Sequence, residues 1–339
     1  MSFQVSVVIP AYNAEKYVRK AVESCIALPQ VAEIILINDF SPDGTWKVCC
    51  DVAREFKQVR LAEHKSRRNE GAGASRNLGI SLAKCDFIAF LDADDWYLPN
   101  RFDTDEGILS SDAAVDGVYN ALGNYYESEE LRTLWLSQNR PEVLTLTDTV
   151  PPEKLSLVLL HAHHQVSGEF STDTITVRKT LFERSGYFHT ALRLQQDTHL
   201  WKRMSLAGRL AAGNIKTPVA IRRVHPENRM TRTADHQQYM DLWFQSLFGE
   251  FRRLKAGFAE MQALRYLYCQ HLIQNSRTLP ALASIARLCV NNPGLMTVEY
   301  GQFDLLLRSL FDSSTAVNRL LSAKNRLVRV LSGTTAKLK

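Results

Sequence analysis

Hydrophobic and polar positions follow two regular patterns over the first hundred residues. A β-branched run at residues 5–9 predicts a strand, and strand-like segments at residues 33–38, 59–64 and 87–91 predict three more. Stretches with apolar residues three and four positions apart predict helices at residues 14–26, 45–56 and 74–83. Continuously apolar strands that alternate with amphipathic helices indicate βαβ units. We therefore expect an α/β fold with a mostly parallel sheet flanked by helices.

The rest of the chain divides into a mixed part and a helical part. Residues 100–152 include a polar segment, "NYYESEELRTLWLSQNRPE", that we expect on the surface, and residues 153–235 combine predicted helices with the strand-like "TDTITVRK". From about Ala234 onwards the pattern is almost wholly helical. The sequence thus predicts a first domain at residues 1–235, in two halves of 1–102 and 103–235, and a helical C-terminal extension at 236–339.

Three of the predicted strands end in groups that could bind a ligand. The tetrapeptides in question are "PAYN" at residues 10–13, "NDFS" at 38–41 and "DADD" at 92–95. In open parallel sheets, ligands bind beyond the carboxyl ends of the strands. We therefore expect these three segments to meet at one edge of the sheet and to form the functional site.

The segment "FLDADDW" crowds three carboxylates, those of Asp92, Asp94 and Asp95, into four positions after a buried strand. Like charges this close raise one another's pKa and are unfavourable unless something compensates them. A hard divalent cation such as Mg²⁺ or Mn²⁺ takes carboxylate oxygens and phosphates as ligands and would relieve the repulsion. The alternative is a structural role, in which Asp94 and Asp95 cap a helix that begins near Pro99.

Four segments, in this order and spacing, resemble the nucleotide-binding half of family 2 glycosyltransferases of GT-A fold. They are "VSVVIPAYNAEKYVRKAVESCI", "EIILINDFSPDGT", "GAGASRNLGI" and "FLDADDWYLPNRF". The resemblance is dense over residues 4–102, thinner to about residue 232, and does not reach the last hundred residues. It implies a Rossmann-like nucleotide-sugar-binding half at 1–102 and an acceptor half at 103–235.

The resemblance also implies which residues contact the donor nucleotide. Pro10, Ala11 and Tyr12 would line the pocket for the base, Asp39 would hydrogen-bond the base, and Asp92 would contact the ribose or the sugar.

A bound metal ion and a cationic side chain complete the donor site that the resemblance implies. Asp94 would ligate the Mn²⁺ or Mg²⁺ that bridges the donor diphosphate, with Asp95 as an alternate ligand and His225 as either a ligand or a phosphate contact. Arg76 would lie at the donor nucleotide, or else form an ion pair on a helix surface. Phe40 departs from the pattern because the family commonly has a glycine there.

The segment "SGYFHTALRLQQDTHLWKRMSLAG" resembles the family block in which an acidic dipeptide opens a helix. Asp197 matches the catalytic base, which takes the proton of the acceptor hydroxyl as it attacks. Gln196 stands where the family usually has Glu. The alternative for Asp197 is an acid favoured by the dipole of the helix N-terminus.

The function implied is a metal-dependent, inverting glycosyltransferase that uses a nucleotide-diphospho-sugar, most readily a UDP-sugar. The acceptor would be a hydroxyl of a surface polysaccharide, lipopolysaccharide or similar glycan, including a lipid-linked one. Two alternatives remain at this point: a sugar nucleotidyltransferase, and a non-catalytic protein that binds nucleotide-sugars. The first would need a glycine-rich loop after the first strand, where the sequence has "PAYNAEKY".

Composition adds little about partners. The 339 residues are 45% hydrophobic and 23% charged, with a net charge of +5, and we expect no nucleic-acid partner. Six cysteines without a CxxC pair indicate reduced thiols, and the N-terminus lacks the pattern of a signal peptide, so we expect a cytoplasmic protein. The last stretch, "TAVNRLLSAKNRLVRVLSGTTAKLK", predicts a basic helix that either packs on the protein or binds peripherally to the inner face of a membrane. The C-terminal helices could also contact a second copy of the chain.

Overall fold

The computed structural model describes residues 3–226 and 236–274. The chain divides into two units, Met1–Glu260 and Met261–Lys339, and all the described strands lie in the first unit. Its strands are β1 (Val5–Ala11), β2 (Val31–Asn38), β3 (Val59–Glu63), β4 (Phe87–Phe90), β5 (Trp96–Tyr97), β6 (Gly117–Tyr119), β7 (Leu122–Tyr126), β8 (Val143–Leu144), β9 (Ile175–Arg178), β10 (Leu210–Ala212) and β11 (Ala220–Val224).

Helices lie between the strands for most of the chain. They are α1 (Val18–Ile26), α2 (Thr45–Glu55), α3 (Ala72–Leu82), α4 (Asp103–Ser111), α5 (Glu129–Ser137), α6 (Leu155–Leu159), α7 (Leu181–Ser185), α8 (Gln196–Ala207) and α9 (His236–Arg253). A further helix, α10 (Phe258–Gln274), continues into the second unit. Among the described residues, no helix combines the length and the apolar character needed to span a bilayer.

Seven strands form the central sheet in the order β10-β6-β9-β4-β1-β2-β3. β9 is antiparallel to both of its neighbours, and the remaining pairs are parallel. As a result, the amino end of β9 lies at the same edge as the carboxyl ends of β1, β2 and β4. A small sheet in the order β5-β11-β7-β8 begins directly after the "DADD" segment.

The central strands are apolar throughout because the sheet is buried on both faces. Along β1, Val7 and Ile9 pack in one hydrophobic cluster with Val18 and Val22 of α1. Val8, which points to the opposite face, packs in a second cluster with α3 and α8. The predicted mostly parallel α/β fold is therefore confirmed.

A buried ion pair between the residues at the start of α4 holds this helix against the central sheet. The side chains of Arg101 and Asp105 are fully buried, with Arg101 Nη1 2.8 Å from Asp105 Oδ2. Arg101 also donates to the carbonyl oxygens of Asp173 and Ile175, at 3.0 and 3.1 Å. This pair therefore holds the start of β9 in place beside the candidate site.

Several predicted elements change their bounds. The first helix begins at Val18, not at residue 14, and the strand expected in "TDTITVRK" begins only at Ile175, after a short 3₁₀ turn. The polar segment at residues 124–142 is mostly exposed, and it contributes part of β7 and all of α5. α9 and α10 agree with the helical pattern expected beyond residue 235, and the basic stretch at residues 315–339 lies outside the described residues.

Candidate active site

The base pocket predicted from the sequence lies at the carboxyl ends of β1 and β2. Ala11 is buried, Pro10 is half-buried and Tyr12 is exposed, and the backbone N–H of Asp39 donates to the carbonyl of Ala11 at 2.9 Å. The structure thus brings Pro10, Ala11, Tyr12 and Asp39 to one edge. These positions remain predictions for the contacts to a nucleotide base.

The loop before α3 holds the carboxylate of Asp39. The backbone N–H groups of Glu70 and Gly71 donate to its two oxygens, each at 2.8 Å. Gly71 has φ +92°, a conformation that favours glycine. The buried carboxylate of Asp39 therefore connects the end of β2 to the start of the "GAGASRN" segment by two hydrogen bonds.

Phe40, the departure from the family pattern, adopts the left-handed backbone that a glycine would take there. Its φ is +57° and its side chain is 53% exposed at the edge of the predicted base pocket. A non-glycine residue in this region is disfavoured by about 1 kcal/mol or more, and such strain concentrates at functional sites. The substitution therefore keeps the turn and adds an exposed aromatic ring beside Asp39.

Arg76 of α3 is an internal cation and not a helix-surface residue. It is almost fully buried, and its Nη2 lies 2.5 Å from Asp92 Oδ1. Burial opposes its charge, but the carboxylates of Asp92 and Asp197 outweigh this and raise the pKa of the guanidinium. Arg76 therefore links the carboxylate segment to the candidate base electrostatically.

Asp94 is paired with His225, which follows the end of β11. His225 Nε2 lies 3.1 Å from Asp94 Oδ2, and the Asp94 side chain is about one-third exposed. The ring of His225 also contacts that of Tyr17, with centroids 5.2 Å apart. The structure thus brings together two of the three predicted metal ligands, although they are 131 positions apart in the chain.

Asp95 points inward, and its carboxylate is 4% exposed. The backbone N–H of Arg223 donates to Asp95 Oδ1 at 2.8 Å, while Arg223 Nε donates to the carbonyl of Asp94 at 3.2 Å. Burial, followed by the charges of Asp94 and Asp173, raises the pKa of Asp95 well above its usual range. No helix begins near Pro99, so the capping alternative is wrong: the next helix starts at Asp103.

Asp173 was missed by sequence reasoning. It precedes β9 and is 1% exposed, and its Oδ1 accepts the backbone N–H of Asp92 at 2.8 Å. Carboxylate oxygens of Asp92, Asp95 and Asp173 lie within 4.8 Å of one another. Burial, followed by the charge of Asp92, raises the pKa of Asp173 to about 6. In the sequence, Asp173 is only an acidic residue just before a predicted strand. It reaches the site because this strand, β9, is antiparallel, so that its amino end lies where the parallel strands end.

Asp197 lies in the first turn of α8, as the sequence predicts. Its Oδ1 accepts the N–H of Thr198 at 2.8 Å, and the residue before the helix, Gln195, has φ +52°. Burial raises the pKa of Asp197, while the Thr198 N–H and the charge of Arg76 lower it. A carboxyl group with a raised pKa beside a buried cation is suited to accept a proton.

These residues fit a divalent cation. Asp92, Asp94, Asp95 and Asp173 concentrate negative charge at one strand edge, and the raised pKa values of Asp95 and Asp173 show that repulsion and burial are not relieved by the protein alone. Oxygen ligands and one imidazole are a donor set that Mn²⁺ and Mg²⁺ accept. The predicted cofactor is therefore compatible with the groups present.

Sequence comparison matches residues 6–130 to glycosyl transferase family 2. A protein of Rickettsia felis named as an uncharacterized glycosyltransferase is 26% identical over 248 residues, which cover 73% of this chain and 38% of the relative. The UDP-Glc:α-D-GlcNAc-diphosphoundecaprenol β-1,3-glucosyltransferase WfaP of Escherichia coli is 29% identical over 140 residues, covering 41% of this chain and 53% of WfaP. The chain thus spans about half or less of the length of these relatives.

Structural comparison finds solved structures of similar fold. Residues 1–349 of Staphylococcus aureus TarS, in complex with UDP-GlcNAc, superpose with a TM-score of 0.62 at 15% identity, covering 94% of this chain and 83% of that one. The mannosyltransferase PcManGT of Pyrobaculum calidifontis, in complex with GDP-Man and Mn²⁺, gives a TM-score of 0.52 at 14% identity, covering 100% of this chain and 89% of that one. Together with the sheet order described above, these likenesses show that the chain has the GT-A fold and that residues 6–130 resemble glycosyl transferase family 2.

Proposed function

We propose that the protein is a metal-dependent, inverting glycosyltransferase that moves a sugar from a nucleotide-diphospho-sugar to a hydroxyl group of a glycan. The observation that carries the proposal is that Asp92 of the "DADD" segment pairs with the buried Arg76, which also interacts electrostatically with Asp197 at the start of α8. Such an arrangement provides a site for a diphosphate and a separate group that accepts a proton.

In the proposed site, Asp94 and His225 hold the cation. Asp94 is about one-third exposed, so a diphosphate could also reach an ion bound there, whereas His225, Asp95 and Asp173 are buried. When bound, the divalent cation stabilises the negative charge that develops on the departing nucleoside diphosphate. Asp95 and Asp173 support the site without binding the cation, because Asp95 accepts the backbone N–H of Arg223 and Asp173 accepts that of Asp92.

The remaining roles follow from position and charge. Asp197 takes the proton of the acceptor hydroxyl as that oxygen attacks the anomeric carbon from the face opposite the nucleotide, which inverts the configuration. Arg76 orients Asp92 towards the donor, and its positive charge favours the ionised form of Asp197 against the effect of burial. Tyr12, Asp39 and the exposed ring of Phe40 line the pocket for the base.

The relatives support the choice of substrate class. TarS is described with UDP-GlcNAc, and the name of WfaP gives UDP-Glc as its donor and a diphosphoundecaprenol-linked sugar as its acceptor. PcManGT is described with GDP-Man and Mn²⁺. We therefore propose a UDP-sugar as the donor, Mn²⁺ or Mg²⁺ as the cofactor, and a lipid-linked or surface glycan as the acceptor. Membrane contact and self-association through the C-terminal region stay predictions.

A thermal-shift panel tests the donor site. UDP, GDP, ADP, CDP and their sugars are each added with Mn²⁺ and with EDTA. We expect one nucleoside diphosphate to stabilise the protein, and only when Mn²⁺ is present, because the anion and the cation bind together. Asp94→Asn should abolish the metal-dependent part, while Asp86→Asn, an exposed carboxylate at the opposite end of β4, should not. Stabilisation that is independent of metal for every nucleotide would refute the proposed site.

A second assay tests the reaction. Release of the nucleoside diphosphate from the donor that binds is followed with and without glycoside acceptors, and the anomeric configuration of the product is read by proton NMR. Inversion is expected. A product that retains the configuration of the donor, or unchanged turnover in Asp197→Asn, would contradict the proposed mechanism.

A further inference from the structure

A cavity of about 360 Å³ lies beside α8 and is lined by residues that have no role in the proposed reaction. We refer to it as the α8 cavity. Its volume is in the range of sites that bind small molecules, ~300–1,000 Å³. The polar and aromatic side chains that line it are those of Tyr187, His189, His199, Arg203, Glu250 and Arg253.

His199 carries hydrogen-bonding capacity that the surrounding protein does not use. Its side chain is 0% exposed, and neither Nδ1 nor Nε2 has a hydrogen-bond partner among the described residues. The Nδ1 atom of His189 is likewise buried without a partner in the described part of the chain. The two rings meet edge to face, with centroids 5.6 Å apart. Because buried polar groups are almost always hydrogen-bonded, the two imidazoles point to a ligand in the cavity.

The protonation state of His199 restricts the chemistry of that ligand. Burial, followed by the positive charge of Arg203, lowers the pKa of His199 well below its usual value, so the ring is neutral. A neutral imidazole presents one N–H donor and one acceptor nitrogen. The ionised oxygens of a carboxylate or a phosphate only accept and would satisfy only the N–H donor, and a metal cation would be repelled by the Arg203 guanidinium. A hydroxyl group both donates and accepts, so a polyhydroxylated ligand satisfies the ring completely.

The rim of the cavity offers an aromatic surface. The ring of Tyr187 is 47% exposed and stacks on Phe182, with centroids 5.8 Å apart and an interplanar angle of 15°. Gly186, which precedes it, has φ +78°, and Arg203 Nη2 donates to the carbonyl of Tyr187 at 2.6 Å. The rim is therefore rigid, and it presents the kind of flat, amphipathic ring against which the apolar face of a pyranose can pack.

A carboxylate completes the lining. Glu250 Oε2 lies 2.7 Å from Arg253 Nη2, which fixes its position at the cavity. Carboxylate oxygens accept hydrogen bonds from hydroxyl groups and have about four lone-pair sites, so the ion pair leaves capacity for a ligand.

We propose that the α8 cavity is a second saccharide-binding site, which takes an uncharged pyranose through His199, His189 and Tyr187. Asp197 and His199 lie two positions apart on α8, so their side chains leave the helix in nearly opposite directions, about 200° apart. The cavity is thus distinct from the donor site. Its role as a subsite for a more distant sugar of the acceptor glycan rests on the proposed function.

Saturation-transfer NMR on the full chain tests the proposal with glucose, galactose, N-acetylglucosamine, maltose and lactose as probes. At least one of them is expected to bind. Tyr187→Ala and His189→Ala, two partly exposed positions that are not expected to disturb the core, should each weaken that binding by about tenfold. Leu134→Ala removes an exposed apolar side chain from α5 and serves as the matched control, with unchanged binding expected.

Three outcomes would overturn the proposal. They are the absence of binding by every probe, binding that survives both Tyr187→Ala and His189→Ala, and displacement of the bound sugar by inorganic phosphate. The Mn²⁺-dependent thermal shift with nucleotides is measured on the same preparations. Its absence in the wild-type protein would refute the proposed metal-dependent donor site but leave the saccharide site standing, so the two failures are distinguishable.

Discussion

Replacing Asp173 with asparagine is expected to stabilise the metal-free protein at neutral pH, although it removes a charge from the candidate active site. The carboxyl group is 1% exposed, and its pKa is raised to about 6 from 3.8. Asparagine has the same shape. Its oxygen can still accept the N–H of Asp92, and its amide can donate to Ser171 Oγ, where the aspartate now accepts at 3.1 Å.

The magnitude and the sign follow from proton linkage. An acid whose pKa is higher in the folded state binds more protons folded than unfolded between these two pKa values, so stability falls as the pH rises through the window. A shift of about two units corresponds to about 3 kcal/mol at neutral pH, which is the penalty that Asp173→Asn relieves. At about pH 4 and below, the wild-type carboxyl group is protonated in the folded state and in a growing share of the unfolded chains, and the gain should disappear.

Urea denaturation in EDTA, followed by tryptophan fluorescence at neutral pH and near pH ~4, measures the effect. Asp86→Asn is the control, because Asp86 is exposed and its replacement should change the free energy of unfolding by less than about 0.5 kcal/mol. A loss of stability in Asp173→Asn at neutral pH would refute the reasoning. So would a gain of equal size at both pH values, because it would show that ionisation is not the cause.

Three further changes probe the site and its support. Asp197→Asn should lower kcat by about 10²–10⁴-fold and leave Mn²⁺-dependent donor binding intact, as measured by steady-state kinetics and calorimetry; an unchanged kcat would exclude Asp197 as the base. His225→Ala should weaken Mn²⁺ binding by about tenfold in a calorimetric titration, because the imidazole beside Asp94 is removed from the proposed metal site. Unaltered affinity would rule out His225 as a ligand. Asp105→Ala should lower the free energy of unfolding by about 3–5 kcal/mol, because the fully buried Arg101 loses its carboxylate; a loss below about 1 kcal/mol in denaturant titration would contradict this.

Much of the fold could be predicted because the signals are local. The apolar runs of β1, β2 and β4 are buried on both faces, as a parallel sheet covered by helices requires. Helix and strand bounds shifted where the chain has weak local signals, as before β9, where a polar 3₁₀ turn replaces the first residues of the predicted strand.

The candidate site was predicted in part. Asp92, Asp94 and Asp95 are adjacent in the chain, so their crowding was visible, and a resemblance placed Asp39, Asp197 and His225 beside them. Burial was not visible. Asp94 and Asp95 look equivalent in the sequence, but Asp94 is partly exposed against His225, whereas Asp95 is buried against the backbone of Arg223.

The sequence by itself determined the strand–helix alternation and the chemistry delivered at the strand ends, because hydrophobic periodicity and residue type are properties of short segments. Only the tertiary structure decided that Asp173 joins the carboxylates and that the buried Arg76 interacts with both Asp92 and Asp197. It also decided that the ring nitrogens of His199 are buried with no hydrogen-bond partner among the described residues. These features depend on the antiparallel direction of β9 and on the packing of α3 and α8 against the sheet. This packing brings together groups such as Asp92 and Asp173, which are 81 positions apart, and sets how much water reaches each one.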